Sequence, residues 1–379
     1  MQPIQMVDLK RQYEKIKTEV NAAIQAVIDS TAFISGPDVH QFAGELASYL
    51  GVKHVIPCAN GTDALQISLM ALSLKPGDEV ITPSFTFMAT AEVIGLLGLT
   101  PVFVDVNPDT FTLDPEAVKK AITPKTKAII PVHLYGQSAD MEALLEISRT
   151  HNIPLIEDNA QAIGGDYTFS NGQTYKTGAM GLIGCTSFFP SKNLGCYGDG
   201  GAIFTQDDAL AEKLRMIANH GQKVRYYHEM IGCNSRLDSI QAAVLRIKLR
   251  HLDAYCDARR KAADYYDKAF AGHAHISTPY RSPNSKHVFH QYTLKLNGVD
   301  RDAVVQAMAE KKIPTMIYYP VPCHKQAMFN GLDIRVMPLP ATDVLQTQVI
   351  SLPMHTELTE EELHYITQSF LEIIDKLSK

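Results

Sequence analysis

The amino-acid sequence predicts an α/β fold, with a large domain on a mostly parallel seven-stranded sheet flanked by helices and a smaller α+β domain after it. Short apolar, β-rich runs alternate with segments of helical period between His54 and Thr205. Several of these runs are apolar throughout, as parallel strands buried on both faces must be. The chain has 379 residues, enough for about two domains. We expect residues 1–250 to form the large domain and residues 251–379 to form the smaller, C-terminal one.

Each predicted element follows from the spacing of apolar residues along the chain. The strands of the large sheet are predicted at His54–Cys58, Glu79–Thr82, Val102–Val106, Lys127–Val132, Leu155–Asp158, Leu182–Phe188 and Gly201–Thr205. The helices between them are predicted at Thr62–Leu74, Ala89–Leu97, Pro115–Ile122 and Asp140–His151. Beyond the sheet, a strand is predicted at Phe289–Leu296 and helices at Asp208–Asn219, Leu237–Phe270, Asp302–Lys311 and Glu360–Leu377. Thr359 and Glu362 form the capping-box pattern that starts the last helix.

Composition and charge exclude several classes of protein. The formal net charge is -6, whereas a general nucleic-acid binder would be basic. The six cysteines are scattered, with neither a Cys-x-x-Cys pair nor the spacing of a metal site, and we interpret them as reduced thiols. Met1–Lys10 lacks the profile of a signal peptide, and no apolar run approaches the length of ~20 residues that spans a bilayer. We therefore expect a cytoplasmic protein that binds no nucleic acid, membrane or metal.

The segment Thr186–Gly201 places a single lysine, Lys192, where an apolar run meets a glycine-rich loop. A partly desolvated lysine loses some of its preference for the ammonium form, and its neutral amine can attack a carbonyl to form a Schiff base. This is how proteins hold pyridoxal phosphate. The alternative is a solvated surface lysine with no such role.

A phosphate site is predicted where Asn60-Gly61-Thr62-Asp63 follows a strand and opens a helix. Free backbone N–H groups and the positive end of the helix dipole attract an anion there, and glycine allows close approach. Ser187, five positions before Lys192, can donate to the same phosphate as Thr62. The alternative is that Thr62 or Asp63 only caps the helix.

Two further residues fit the same cofactor. Asp158 closes a strand, where its carboxylate could keep a pyridine nitrogen protonated, although it could instead cap the next turn. Phe87 lies in a loop after a strand, where its ring could stack on the cofactor or pack in the core. A phosphate loop, an aromatic residue, an acid and a lysine at the strand ends of one sheet predict that the large domain binds pyridoxal 5′-phosphate.

The chain resembles the DegT/StrS-type sugar-nucleotide aminotransferases, which have the aspartate-aminotransferase fold, fold type I. The resemblance runs from Asp8-Leu9 to Ser351–His355. The motifs that carry it are Ala59–Leu65, Pro131–Gln137, Glu157–Gln161, the lysine segment through Gly201 and Gly232–Asp238.

The resemblance implies a role for each residue of the site. Lys192 would form the Schiff base and move the proton, Asp158 would pair with the pyridine nitrogen, and Gln161 would bond the ring hydroxyl. The remaining cofactor contacts it implies are Gly61, Thr62 and Ser187 at the phosphate, Phe87 over the ring, and Asn234, which reaches the phosphate from the other subunit of a homodimer. Asp63 is a further predicted cofactor-binding residue. Arg236 would meet the substrate across the same interface.

Within the family, the likeness is to enzymes that use L-glutamate to aminate C3 of a UDP-linked 2-acetamido-3-oxo sugar, notably the glucuronate, for surface polysaccharide or lipopolysaccharide. Arg225, Arg236 and Lys223 are candidates to neutralise the diphosphate, with the alternative that Arg225 is only a solvated helix or loop residue. Tyr319 is expected near the sugar. Tyr318 stands where those relatives tend to carry histidine, so the C6 state of the sugar stays open. The alternatives are amination at C4 of a 4-keto-6-deoxy sugar nucleotide and a non-catalytic regulator on the same fold.

Overall fold

The computed structural model describes residues 3–378, so Met1, Gln2 and Lys379, at the outer ends of the two predicted domains, lie outside it. The helices are α1 (Leu9–Ser30), α2 (Pro37–Leu50), α3 (Gly61–Ala71), α4 (Ala89–Leu96), α5 (Pro115–Ala121), α6 (Met141–His151), α7 (Asp208–Ala218), α8 (Ser239–Leu249), α9 (Leu252–Phe270), α10 (Arg301–Glu310), α11 (Pro340–Gln348) and α12 (Glu360–Leu377). Short 3₁₀ turns lie at Leu134–Gly136, Cys323–Lys325 and Ala327–Phe329.

The strands include all seven that the sequence predicts for the large sheet. They are β1 (His54–Cys58), β2 (Glu79–Pro83), β3 (Thr100–Val104), β4 (Thr126–Ile129), β5 (Ile156–Asp158), β6 (Asp166–Thr168), β7 (Thr174–Lys176), β8 (Ile183–Ser187), β9 (Gly201–Thr205), β10 (Gln222–Val224), β11 (Tyr227–His228), β12 (Ile276–Ser277), β13 (Ser285–Lys286), β14 (Tyr292–Leu296), β15 (Arg335–Val336) and β16 (Val349–Leu352).

The large sheet has the order β1-β9-β8-β5-β4-β2-β3-β15. Its two halves meet through the parallel bridges Ile129–Leu155 and Val132–Asp158. Strand β9 runs antiparallel to both of its neighbours, and the other adjacent pairs in the sheet are parallel. The mostly parallel sheet is therefore confirmed, and β15 adds an eighth, edge strand from the C-terminal part of the chain.

Both faces of this sheet are covered by helices, because its strands alternate apolar side chains between two cores. On one face, Ile56 and Ile203 pack with Leu65 of α3 and with α4 and α7. On the other face, Phe204 packs with α2 and α8, and Val102 packs with α5 and α6. The covering helices leave open the edge where the carboxyl ends of β5 and β8 meet.

The C-terminal part contains a three-stranded antiparallel sheet in the order β12-β14-β16. Its core includes Tyr266 and Phe270 of α9 together with Phe370 of α12. The start of α9 belongs instead to a core of the large sheet, through Leu252 and Cys256. Helix α9 therefore contacts the core of the large sheet at its start and the core of the C-terminal sheet at its end. The predicted domain boundary between residues 250 and 251 stays a prediction.

The single helix predicted over Leu237–Phe270 is wrong, since the chain forms α8 and α9 with Arg250 and His251 between them. Helix α8 packs against α1 and α2, whereas α9 packs against α12. A straight helix could not serve both sets of partners, so tertiary packing overrides the continuous helical period. The capping box at Thr359 and Glu362 is present as predicted.

None of the helices described between residues 3 and 378 combines the length and apolar character that crossing a bilayer requires. Over the same residues, no group of three or more His, Cys, Asp or Glu side chains is placed to hold a metal ion.

Candidate active site

A cavity of about 680 Å³ opens at the carboxyl ends of β5 and β8. Ten of the predicted site residues line it: Gly61, Thr62, Asp63, Phe87, Asp158, Gln161, Ser187, Lys192, Tyr318 and Tyr319. The rule that ligands of open α/β sheets bind beyond the carboxyl ends of the strands therefore located the cavity. The other three predicted residues lie outside it.

Lys192 lies in the loop that follows β8, where its backbone N–H donates to the carbonyl of Phe189 at 2.8 Å. Burial lowers the pKa of its amine from 10.5 to about 8, although the negative charge of Asp158 opposes this effect. At pH 8 about half of such amines are neutral, against roughly 0.3 % for an ordinary lysine. The side chain therefore has the nucleophile that Schiff-base chemistry needs.

Asp158 ends β5 with both carboxylate oxygens engaged. One accepts from the Thr90 hydroxyl at 2.8 Å, and the other accepts from the backbone N–H of Ala160 at 3.1 Å. Burial raises its pKa, while these hydrogen bonds and the positive charge of Lys192 favour ionisation. The contact with Ala160 is the turn contact of the alternative interpretation, but the carboxylate also borders the cavity.

Gln161 is held in one orientation by its neighbours. Its Oε1 accepts from the backbone N–H of Tyr135 at 2.7 Å, and its Nε2 donates to the Tyr319 hydroxyl at 3.0 Å. Because Oε1 is occupied by an N–H group, the amide NH₂ is the end that faces Tyr319 and the cavity. The side chain can thus donate to an oxygen of a bound molecule.

One corner of the cavity forms where Gly61 and Thr62, at the start of α3, approach Ser187 at the end of β8, and we call it the anion corner. Asn60 caps α3 by accepting from the backbone N–H of Asp63 at 2.8 Å, so the alternative in which Thr62 or Asp63 is the cap is wrong. A Cβ atom on Gly61 would lie only 2.7 Å from Cβ of Ser187, which explains the glycine. The Ser187 Oγ accepts from the N–H of Phe189 at 3.2 Å, leaving its own O–H to donate elsewhere.

Two aromatic side chains bound the mouth of the cavity. The Phe87 ring is 56 % exposed and lies 6.0 Å from the Tyr319 ring, centroid to centroid. Burial raises the pKa of the Tyr319 phenol, so its hydroxyl stays protonated. The Tyr135 hydroxyl donates to the backbone carbonyl of Tyr318 and ties this segment to the end of the sheet.

Three structural contributions were missed from the sequence. The first is Thr90, whose hydroxyl donates to the Asp158 carboxylate and holds it in place. The sequence signal for it was a polar residue within the mostly apolar helix α4. His133 donates from Nε2 to the fully buried Glu157 at 2.8 Å and accepts at Nδ1 from Ala139. Glu157 also accepts from backbone N–H groups of the loop at 178–181, so the His133–Glu157 pair, the second contribution, anchors this loop.

The third contribution is that of His290, which lines the cavity and gave no signal of its own in the sequence.

Arg225, Asn234 and Arg236 are exposed and do not line the cavity of their own chain. The Arg225 guanidinium lies 4.9 Å from the centre of the Tyr226 ring in the β10–β11 hairpin. Asn234 forms an isolated antiparallel bridge with Asn219. Their predicted roles stay predictions, since two of them require a second subunit.

The family model of the DegT/DnrJ/EryC1/StrS aminotransferases matches residues 14–371. The chain belongs to this family. It is therefore an aminotransferase, as predicted, and the family works with pyridoxal 5′-phosphate, which confirms the predicted cofactor.

Several relatives match nearly the whole chain, and three of them illustrate the range of their names. A pleiotropic regulatory protein of Geobacillus stearothermophilus is 46% identical, covering 97% of this chain and 98% of the relative. The UDP-2-acetamido-2-deoxy-3-oxo-D-glucuronate aminotransferase of Pseudomonas aeruginosa is 46% identical, covering 96% and 98%. The UDP-N-acetyl-3-dehydro-alpha-D-glucosamine 3-aminotransferase of Acidithiobacillus ferrooxidans is 45% identical, covering 95% of each.

Solved structures confirm the predicted fold type. DesV of Streptomyces venezuelae, solved in complex with a ketimine intermediate, superposes with a TM-score of 0.93 at 40% identity, covering 99% of both chains. NtdA of Bacillus subtilis, solved with bound cofactor PMP, gives a TM-score of 0.89 at 31% identity, covering 99% of this chain and 86% of NtdA.

Proposed function

We propose that this aminotransferase moves the amino group of L-glutamate to C3 of a UDP-2-acetamido-2-deoxy-3-oxo sugar, the glucuronate in particular. The products are the 3-amino sugar nucleotide and 2-oxoglutarate. The observation that carries the chemistry is Lys192, which faces Asp158 and the anion corner in one cavity. The choice of sugar is supported by the names of the relatives from P. aeruginosa and A. ferrooxidans.

The cavity fits the three reactive parts of pyridoxal 5′-phosphate. The corner at Gly61, Thr62 and Ser187, with the N-terminus of α3, would hold the phosphate, and the close approach that Gly61 permits supports this assignment. Asp158 would face the ring nitrogen, and Lys192 would take the aldehyde. When bound, the cofactor supplies an electron sink for the carbon that loses a proton.

The side chains of this protein then have distinct tasks. In the first half of the reaction the neutral Lys192 amine would take the proton from the α-carbon of L-glutamate and pass it to the cofactor. In the second half the neutral amine would take a proton back from the cofactor and deliver it to C3 of the sugar. Asp158 supplies the negative charge that favours a protonated ring nitrogen, and Thr90 keeps this carboxylate in place. Gln161, oriented by Tyr135, donates to the ring hydroxyl.

We propose further that a second copy of the chain completes each site. Asn234 and Arg236 lie outside the cavity of their own chain, on the exposed segment that follows the β10–β11 hairpin. This segment and the hairpin also expose large apolar side chains, with Tyr226 74% and Ile231 86% exposed. Burial of such a patch in a homodimer would bring Asn234 to the phosphate and Arg236, with Arg225, to the diphosphate of the substrate.

The compartment and the pathway are also part of the proposal. All six cysteines are free, and five of them are buried, as expected of a protein in a reducing cytoplasm. An amino sugar nucleotide made there would supply a lipopolysaccharide or another surface polysaccharide.

The test is to incubate the enzyme with L-glutamate and each candidate keto sugar and to identify the products by NMR. We expect amination of the 3-oxo glucuronate. Amination of a 4-keto-6-deoxy sugar nucleotide alone would replace the proposal with the C4 alternative. A non-catalytic regulator would show no spectral change when L-glutamate is added to the protein loaded with pyridoxal phosphate.

A further inference from the structure

Tyr135 lies just outside the cavity and is hydrogen-bonded to three residues of its wall. It is buried and is not itself a lining residue. Its backbone N–H donates to Gln161 at 2.7 Å, its backbone carbonyl accepts from the N–H of Gln291 at 3.3 Å, and its hydroxyl donates to the backbone carbonyl of Tyr318. These partners are far apart in the chain. One buried residue thus joins three separate parts of the cavity wall.

The backbone at Tyr135 has an uncommon conformation. Its φ is 58°, in the left-handed region that bulky residues rarely adopt. Gly136 follows, and a Cβ atom there would lie 2.9 Å from the backbone nitrogens of Phe289 and His290. This close approach lets the carbonyl of Gly136 accept from the N–H of Val288 at 2.9 Å. Such strain persists where surrounding contacts overdetermine the conformation, and it concentrates at functional sites.

Residues 317–320 carry two aromatic side chains of the cavity wall and have little other support from hydrogen bonds. Met316, just before them, exchanges two backbone hydrogen bonds with Ser351 of β16, at 3.1 and 2.8 Å. Over the described residues 3–378, the Tyr135 hydroxyl is the only group that forms a hydrogen bond with the backbone of 317–320. The position of this backbone therefore depends on one hydroxyl group as well as on apolar packing.

The Tyr135 hydroxyl suits this role because it is a permanent donor at a fixed point. Burial raises the pKa of the phenol well above its usual range, so the hydroxyl stays protonated. The ring packs edge to face against Phe111, with the ring centroids 5.3 Å apart. Since packing sets the ring and hydrogen bonds are directional, the hydroxyl defines where the carbonyl of Tyr318 lies.

We propose that Tyr135 is a positioning residue for the sugar nucleotide: its hydroxyl fixes the Tyr318 backbone and so holds the Tyr318 and Tyr319 side chains in the orientation that receives the sugar. This inference rests on the proposed function and on the prediction that Tyr319 lies near the sugar. Gln161, on the cofactor side, is oriented by the backbone N–H of Tyr135 and not by its hydroxyl. Loss of the hydroxyl alone should therefore weaken sugar binding and spare the reaction with the amino donor.

The test is Tyr135→Phe, which removes the hydroxyl and retains both backbone hydrogen bonds. The ligands are the keto sugar nucleotide that the native enzyme aminates, whichever it is, and its amino product. We expect KM for the keto sugar, and Kd for the product by isothermal titration calorimetry, to rise about fivefold, the scale of one lost neutral hydrogen bond. The half-reaction with L-glutamate, followed in a single turnover, should keep its native rate to within about twofold.

Tyr266→Phe is the matched control. Tyr266 is fully buried and its hydroxyl donates to the backbone carbonyl of Pro353 at 2.8 Å, but neither residue lines the cavity. Both variants should lose stability in thermal unfolding, whereas only Tyr135→Phe should weaken sugar binding. Equal KM and Kd values in the two variants, or an equal loss in both half-reactions of Tyr135→Phe, would overturn the proposal. Amination of a 4-keto sugar in place of the 3-oxo sugar would instead count against the proposed function and leave the comparison of the two variants in force.

Discussion

The cavity around Lys192 and the exposed segment that carries Arg225, Asn234 and Arg236 are built in opposite ways. In the cavity, Asp158, Gln161 and the anion corner are held by hydrogen bonds within one chain. The segment instead displays its charged and aromatic side chains on the surface. The cavity side chains are thus held in place within one chain, whereas Arg225, Asn234 and Arg236 would contribute to a site only in the dimer that we propose.

The strongest test of the cavity is Lys192→Ala. Loss of the nucleophile and proton carrier should lower turnover by at least about a thousandfold and remove the visible absorbance of the bound cofactor. Lys248→Met is the control, because Lys248 is 1% exposed and has its pKa lowered by burial to about 8 as well, yet it does not line the cavity. Normal turnover in Lys192→Ala would remove the basis of the proposed mechanism.

The exposed segment can be tested by combining one variant with lowered activity and one inactive variant. Arg236→Ala should lower kcat/KM by about ten- to a hundredfold, as expected for a lost charged contact. When this variant is co-expressed with Lys192→Ala, mixed dimers would contain one site with both residues intact. Random pairing then predicts recovery of about a quarter of the native rate. No recovery, with mixed dimers shown by mass spectrometry, would mean that Arg236 acts within its own chain or not at all.

Gly61→Ala probes the close approach at the anion corner. The added methyl group would contact Ser187 Cβ at 2.7 Å, so α3 or β8 must shift. We expect a loss of about ten- to a hundredfold in cofactor affinity, measured by fluorescence titration. Gly44→Ala in α2, where an added Cβ meets nothing within 4 Å, should bind the cofactor normally. Similar losses in both variants would point to a general effect on folding.

The smallest predicted effect is on pH dependence. The half-reaction that starts from the free Lys192 amine needs its neutral form, and burial sets the pKa of this amine at about 8. Its rate should therefore rise about tenfold from pH 7 to pH 9, as the neutral fraction grows from about a tenth to about nine tenths. Single-turnover measurements across this range check the prediction, and a flat profile would contradict it.

The sequence by itself determined seven of the eight strands of the large sheet and the position of the cavity. The short apolar run of β9, for example, predicted its strand with the right bounds, because burial on both faces leaves little choice of residue. The ends of the strands then located Asp158, Ser187 and Lys192 at one edge, since parallel strands share a carboxyl end.

Only the tertiary structure decided how these residues are held and what surrounds them. The break between α8 and α9 depends on packing partners far away in the chain, and no local signal marks it. Thr90 of α4 reaches Asp158, and His290 reaches the cavity from the C-terminal part of the chain. The local sequence encodes which segments are buried. Hydrogen bonds between segments that are distant in the chain form only once the layers of the fold have packed. The residues that hold the site residues in place could therefore not be predicted from the sequence.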